Sequence, residues 1–197
     1  EVSDATVTLN DADGVAVSAT ELSAIGGATT GTVTVTNALA VTGDHDQLTA
    51  ALVTAGTKVE VTDVAVTVND ADGVAVSATE LSAIGGATTG TVTVTNALAV
   101  TGDHDQLTAA LVTAGTKVEV TDVAVTVNDA DATAVTAAEL SAIGGATTGT
   151  VTVTNAVAIT GSVSEVTAAL VTAGTKVEIT DASITINDTP SIAELNA

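Results

Sequence analysis

The stretch GTVTVTNALAVTGDHDQLTAALVTAG, Gly90 to Gly115, contains the pattern from which the whole chain is built. In its opening, Val92 and Val94 alternate with Thr91, Thr93 and Thr95, the period-2 signature of a half-buried strand rich in β-branched residues. Leu98 and Val100 carry the alternation into a second strand. Asp103 then stands three residues before Gln106, the spacing of a capping box, in which two side chains satisfy orphan amides of a first helical turn. Leu107, Ala110, Leu111 and Ala114 follow at i, i+3, i+4 and i+7, one apolar stripe of a short helix. The reading is strand, strand, helix.

The neighbouring stretch, Thr57 to Thr89, reads the same way. Val66 and Val68 mark its second strand, an NDADGVAV connection follows, and Ser77 with Glu80 caps its helix. Together the short half of 27 residues and the long half of 32 make a repeat. Asn10 to Asp72 is identical, position by position, to Asn69 to Asp131, a period of 59 residues. Residues 1–197 thus form a single continuous segment with repeats at 10–68, 69–127 and 128–186, the last divergent, and a truncated fourth at 187–197. Even scarce residues obey the period, as Lys58, Lys117 and Lys176 do, and His45 and His104. Capping pairs recur at Ser18/Glu21, Thr136/Glu139, Ser191/Glu194, Asp44/Gln47 and Ser162/Glu165. Gly26, Gly27, Gly56, Gly85 and Gly86 fall where a left-handed residue ends a helix.

Composition narrows the interior. The chain has no Phe, Trp, Tyr, Met or Cys and one Pro, so Val, Ala, Leu and Ile must fill the core alone. That favours a regular interior with few differently shaped holes. At 46% hydrophobic residues the chain is not disordered, despite a net charge of −21. With 24 acidic against 3 basic residues it lacks the basic clusters that nucleic acid requires. No apolar run approaches the roughly 18 residues of a membrane span, so no membrane insertion is expected.

Repeated strand-strand-helix coils of about 30 residues are the grammar of an α/β repeat solenoid. The coils should be right-handed and stacked into parallel β-ladders. Stacked strands advance about 4.8 Å, whereas packed helices need about 8 to 10 Å, which calls for curvature or staggered helices. The long connection would place alternate helices in a second row, and Ala-rich helix faces would reduce the spacing required.

Sixteen of the 24 acidic residues fall between a second strand and a first helical turn, on one edge of such a stack. Carboxylates gathered there repel unless neutralised, and Asp-x-Asp on a tight turn suits the oxygen-rich coordination of calcium. The candidate calcium ligands are Asp11, Asp13, Asp70, Asp72, Asp129 and Asp131; the bland reading of each pair is a polar turn bonding its own backbone. The third copy, Asp129-Ala130-Asp131-Ala132, lacks the glycine. Asp103-His104-Asp105 is a weaker metal candidate, because Asp103 is a helix cap and His104 falls in an exposed first turn. The third copy replaces this trio with Ser162, Val163 and Ser164.

Enzymatic chemistry finds little support. There is no Cys, the two His are equivalent by repeat, and the IGGATTG stretch follows a helix where a phosphate loop would open one. Lys58 and Glu60 read as a surface pair. Thr32-Val33-Thr34 and Thr91-Val92-Thr93 suggest an ice-binding or other surface-binding face, but Lys58-Val59-Glu60 at the equivalent position should interrupt it at every second step.

The Val-Thr-Val-Thr strands, the Ala-Glu-Leu helices after a Ser cap, the ATTGTVTVTN joint and the terminal SITINDTPSIAELNA resemble repeat arrays of very large secreted surface proteins of marine cyanobacteria and similar bacteria. The resemblance spans the whole chain and rests on repeat style. It implies a structural role without catalysis, in an extracellular surface fibre, adhesin or filament bathed in calcium and salt. A chain that starts at Glu1 without Met reads as part of something longer. Its ends, EVSDATVTLN and a helix reaching Leu195, carry no evident polar cap, which predicts end-to-end self-association.

Overall fold

A computed structural model describes residues 3–37, 40–56, 58–96, 99–115, 118–172, 174–189 and 191. The valine-threonine alternation becomes strand wherever it occurs. In chain order the elements are β1 (Val7–Leu9), β2 (Ala16–Ser18), α1 (Ala19–Gly27), β3 (Val33–Val35), β4 (Ala40–Gly43), α2 (His45–Leu48), β5 (Val59–Glu60), β6 (Ala65–Val68), β7 (Ala75–Ser77) and α3 (Ala78–Gly86). The second repeat runs β8 (Val92–Val94), β9 (Ala99–Gly102), α4 (His104–Leu107), β10 (Val118–Glu119), β11 (Ala124–Val127), β12 (Ala134–Thr136) and α5 (Ala137–Gly145). The third adds β13 (Val151–Val153), β14 (Ala158–Gly161), α6 (Val163–Leu170), β15 (Val177–Ile179) and β16 (Ser183–Ile186).

All strand pairs are parallel, in four open sheets ordered β1-β3-β5, β2-β4-β6-β8-β10, β7-β9-β11-β13-β15 and β12-β14-β16. The short half has the two strands its sequence predicts; the long half has three. Its added length thus forms a strand, and consecutive helices touch one another from α1 to α6. The first strand of a long half (β5, β10, β15) ends one sheet, the second (β6, β11) continues another, and the third (β7, β12) founds a new one. Each repeat thereby hands the chain from one sheet to the next.

The register explains how a core without aromatic residues packs. Val17, Val41, Val66, Val92 and Val118 stand side by side in one sheet, and Val76, Val100, Val125, Val151 and Val177 in the next, all buried. Valine against valine repeats one contact along the stack, so one well-fitted pair solves the packing for all. Leu22, Leu81 and Leu140 from the helices, with Ile84 and Ile143, close the core. Small residues allow a strand end and a helix start to lie close: a Cβ added at Gly102, the last residue of β9, would stand 2.9 Å from the Cβ of Ala78, the first residue of α3.

Six expected capping boxes are present, at Ser18, Asp44, Ser77, Asp103, Thr136 and Ser162. The seventh pairs Ser191 with Glu194, and Glu194 lies outside the described residues, as do Leu98 and Lys117. The helix ends differ from expectation. α1, α3 and α5 close on Ala28, Ala87 and Ala146, all right-handed, with both glycines inside the helix. Left-handed backbone occurs instead in the DADG turn, at Gly14 and Gly73 (φ 77° in both), and at Lys58 (φ 49°), Ala132 (φ 61°) and Lys176 (φ 47°). α2 and α4 widen into π-helical turns, Thr49–Val53 and Thr108–Val112. A π turn closes i→i+5, so Thr113 N–H reaches Thr108 O at 2.9 Å and Ala114 drops out of the predicted apolar stripe. Lys58 precedes β5, and its ammonium donates to the Thr30 carbonyl at 2.7 Å, where a surface pair with Glu60 was expected.

Candidate metal centre

The joints between half-repeats position the acidic edge. In ATTG the first threonine is buried: Thr88 Oγ1 donates to Val64 O at 2.6 Å and accepts Gly90 N–H at 3.0 Å. Gly90 passes so near the preceding half-repeat that a Cβ there would lie 2.3 Å from Val64 O. This clamp sets the register that brings the NDAD turn of one half-repeat beside the helix start of the one before.

At that meeting point Asp70 and Asp129 are buried, unlike the exposed Asp11, Asp13, Asp72 and Asp131. Asp70 reaches back to α2: Oδ2 accepts His45 N–H at 2.9 Å and Oδ1 accepts the ring Nδ1–H at 2.6 Å. Asp129 treats His104 identically. The main-chain carbonyl of each is taken too, by the amides of Asn96 and Asn155, and Asn37 does the same to Asp11. Of the six calcium candidates, then, Asp70 and Asp129 are engaged through carboxylate and carbonyl, and Asp131 accepts Ala156 N–H at 3.2 Å.

The ring held by Asp70 faces two more carboxylates. His45, Asp46 and Glu80 each offer a ligand atom within 4.8 Å of the others, and His104, Asp105 and Glu139 repeat the arrangement. Nε2 of His45 stands 3.7 Å from Asp46 Oδ1, and Nε2 of His104 stands 3.6 Å from Asp105 Oδ1. The sequence pointed to Asp103-His104-Asp105; the structure keeps Asp103 as helix cap and supplies Glu139 from the next half-repeat in its place. Nor is His104 an exposed first-turn residue, since its side chain is only 13% exposed.

Burial disfavours the charged imidazole of His45, but the hydrogen bond to Asp70 and the charges of Asp70, Asp46 and Glu80 outweigh it, leaving the pKa above its ordinary 6.5. His104 is raised by the same balance with Asp129, Asp105 and Glu139. Glu80 is lowered, first by the hydroxyl of Ser77, and Glu139 by that of Thr136.

Glu80 and Glu139 were visible only as capping residues, and the Asp70-His45 pairing was not visible at all. A signal existed: the 25 residues between them equal the offset of the paired strands Ala40 and Ala65. Among the described residues no helix is long and apolar enough to cross a membrane. Comparison with family models, with curated proteins and with solved structures returned no match.

Proposed function

We propose that the chain is a structural repeat segment of an extracellular surface fibre, adhesin or filament, a right-handed solenoid with no catalytic role. The observation that carries this reading is the handover of sheets: among the described residues the first two long half-repeats each end one ladder and found another, so each of these repeats leaves open the strands that its successor completes. Such a unit adds to itself without limit and without a new kind of contact. In this reading calcium acts on the exposed carboxylates Asp11, Asp13, Asp72 and Asp131, stiffening the edge.

End-to-end self-association belongs to the same reading. Leu9, Val17 and Ile25 line an open groove, while their equivalents one period later, Val68, Val76 and Ile84, are covered by the preceding half-repeat. A second copy is the occupant whose shape already fits.

Small-angle scattering on this chain and on chains lengthened by one and two 59-residue repeats tests the proposal. The maximum dimension should grow by a constant step while the cross-section stays fixed; a compact particle would overturn it.

The alternative of an ice- or surface-binding face gains one observation. The outward column Ser18, Thr42, Thr67, Thr93 runs through four strands before Glu119 ends it, longer than the alternation of halves suggested. The column beside it is alanine, Ala16, Ala40 and Ala65, so the hydroxyl array is one residue wide. Thermal hysteresis in a freezing assay would favour this alternative over the fibre.

A further inference from the structure

We propose that His45, Asp46 and Glu80 bind a divalent transition ion of the zinc class, that His104, Asp105 and Glu139 bind a second, and that each ion ties one half-repeat to the next. The inference stands apart from the fibre reading, because it rests on the chemistry of the donors alone.

The ring is set for coordination in advance. Asp70 accepts the Nδ1–H of His45, which leaves the Nε2 lone pair of the neutral ring on the side of Asp46, while Glu80 offers a ligand atom within 4.8 Å of one on each of the other two residues. A carboxylate holding the far nitrogen of a ligating histidine is the usual outer support of such a ligand, fixing its tautomer and its orientation. Asp70 is suited to that task, with a side chain only 4% exposed.

Helix capping alone does not require the ring. In the third repeat Asp188 still accepts the first helical N–H, that of Val163, at 3.2 Å, although no imidazole is there. Val163 and Ser164 replace His and Asp, whereas Ser162 and Glu165 take over the capping box from Asp and Gln, and the reaching Asp188 remains. The capping residues are exchanged for others that still cap, but the two donors are exchanged for residues that cannot ligate in the same way, as expected of residues serving a ligand. α2 and α4, which carry the histidines, also have the π turns, whereas α6 is regular.

The donor set selects the ion. One imidazole nitrogen with two carboxylate oxygens suits zinc, cobalt or nickel, whereas calcium takes six to eight oxygens and no nitrogen. Donors around such an ion stand roughly 3.3 Å apart, given bonds of about 2.1 Å. The 3.7 Å between Nε2 and Asp46 Oδ1 is close to that already. Asp46 is 85% exposed, so its side chain is free to close on the ion and the site is open to solvent for entry. The capping contacts of Glu80 all use Oε2 and do not consume Oε1. Water completes the coordination.

The test is calorimetric titration of the metal-free full chain with zinc chloride at neutral pH, with calcium chloride at matched ionic strength as the comparison. Wild type should take up two zinc ions per chain. His45→Val should leave one, and His45→Val with His104→Val none; valine is what the third repeat carries there, and circular dichroism checks that the fold persists. Asp70→Asn should weaken one site about 10- to 100-fold. Cobalt chloride should give visible absorption bands in wild type that the double variant lacks. Zinc uptake that survives the double substitution, or a zinc response no different from that of calcium, would overturn the proposal.

Discussion

The carboxylate of Asp70 engages His45, 25 residues earlier, through both oxygens, one on the backbone N–H and one on the ring. A single buried side chain thus caps a helix, orients an imidazole and joins two half-repeats. Replacing Asp70 with Ala should cost about 2 to 4 kcal/mol, because charge-assisted bonds are lost and their donors are left without partners. Asp11→Ala, at the exposed equivalent position, should fall within about 0.5 kcal/mol of wild type. Urea unfolding of the two variants measures the difference; equal losses would show that the reach to His45 is not what holds Asp70.

Ala132 occupies the left-handed position that Gly73 fills one repeat earlier, with φ at 61°. A Cβ is strained there, so Ala132→Gly should stabilise by about 1 kcal/mol and Gly73→Ala should destabilise by a similar amount. Thermal unfolding of both variants reads the sign directly.

Glycines in the same motif should behave oppositely. A Cβ at Gly90 meets the carbonyl of Val64, a backbone atom that cannot move aside, and Gly90→Ala should cost about 3 kcal/mol or more. At Gly86, inside α3, nothing lies within 4 Å. Gly86→Ala should therefore stabilise by about 0.5 to 1 kcal/mol through helix propensity. Melting temperatures that move the same way for both would refute the clamp.

Acid should loosen the exposed capping boxes. Glu165 titrates below its ordinary 4.5, chiefly because the backbone N–H of Ser162 and then its hydroxyl donate to the carboxylate. Glu21 is lowered first by the hydroxyl of Ser18 and then by its N–H. A carboxylate with a lowered folded pKa contributes stability that is full above the unfolded value and vanishes as pH falls through the folded one. Stability of wild type relative to Glu165→Gln should thus be constant above about pH 5 and shrink below 4.5. The comparison with a variant is needed because acid also relieves the repulsion of a chain carrying −21. Unfolding curves collected from pH 3 to pH 7 show whether the difference closes.

What was legible in the sequence is what acts over short distances along the chain. Val92 and Val94 point inward because alternation has period 2, and Ser77 meets Glu80 because a capping box spans three residues. A side chain and its neighbour three places on decide such features wherever the chain is placed. The error at Ala114 has the same origin, since the apolar spacing assumed 3.6 residues per turn and the helix widened before reaching it.

By itself, then, the sequence determined the period of 59 residues, two strands of each half-repeat, the helix starts and the exclusion of aromatic packing. Only the tertiary structure decided that the long half carries a third strand, that the threonine column runs through Thr42, Thr67 and Thr93, and that Asp70 reaches His45. The reason is register. Side chains 24 to 28 residues apart meet only when clamps such as Thr88 on Val64 fix how far one half-repeat slides over another. That distance is a property of stacked backbones, which no single half-repeat contains.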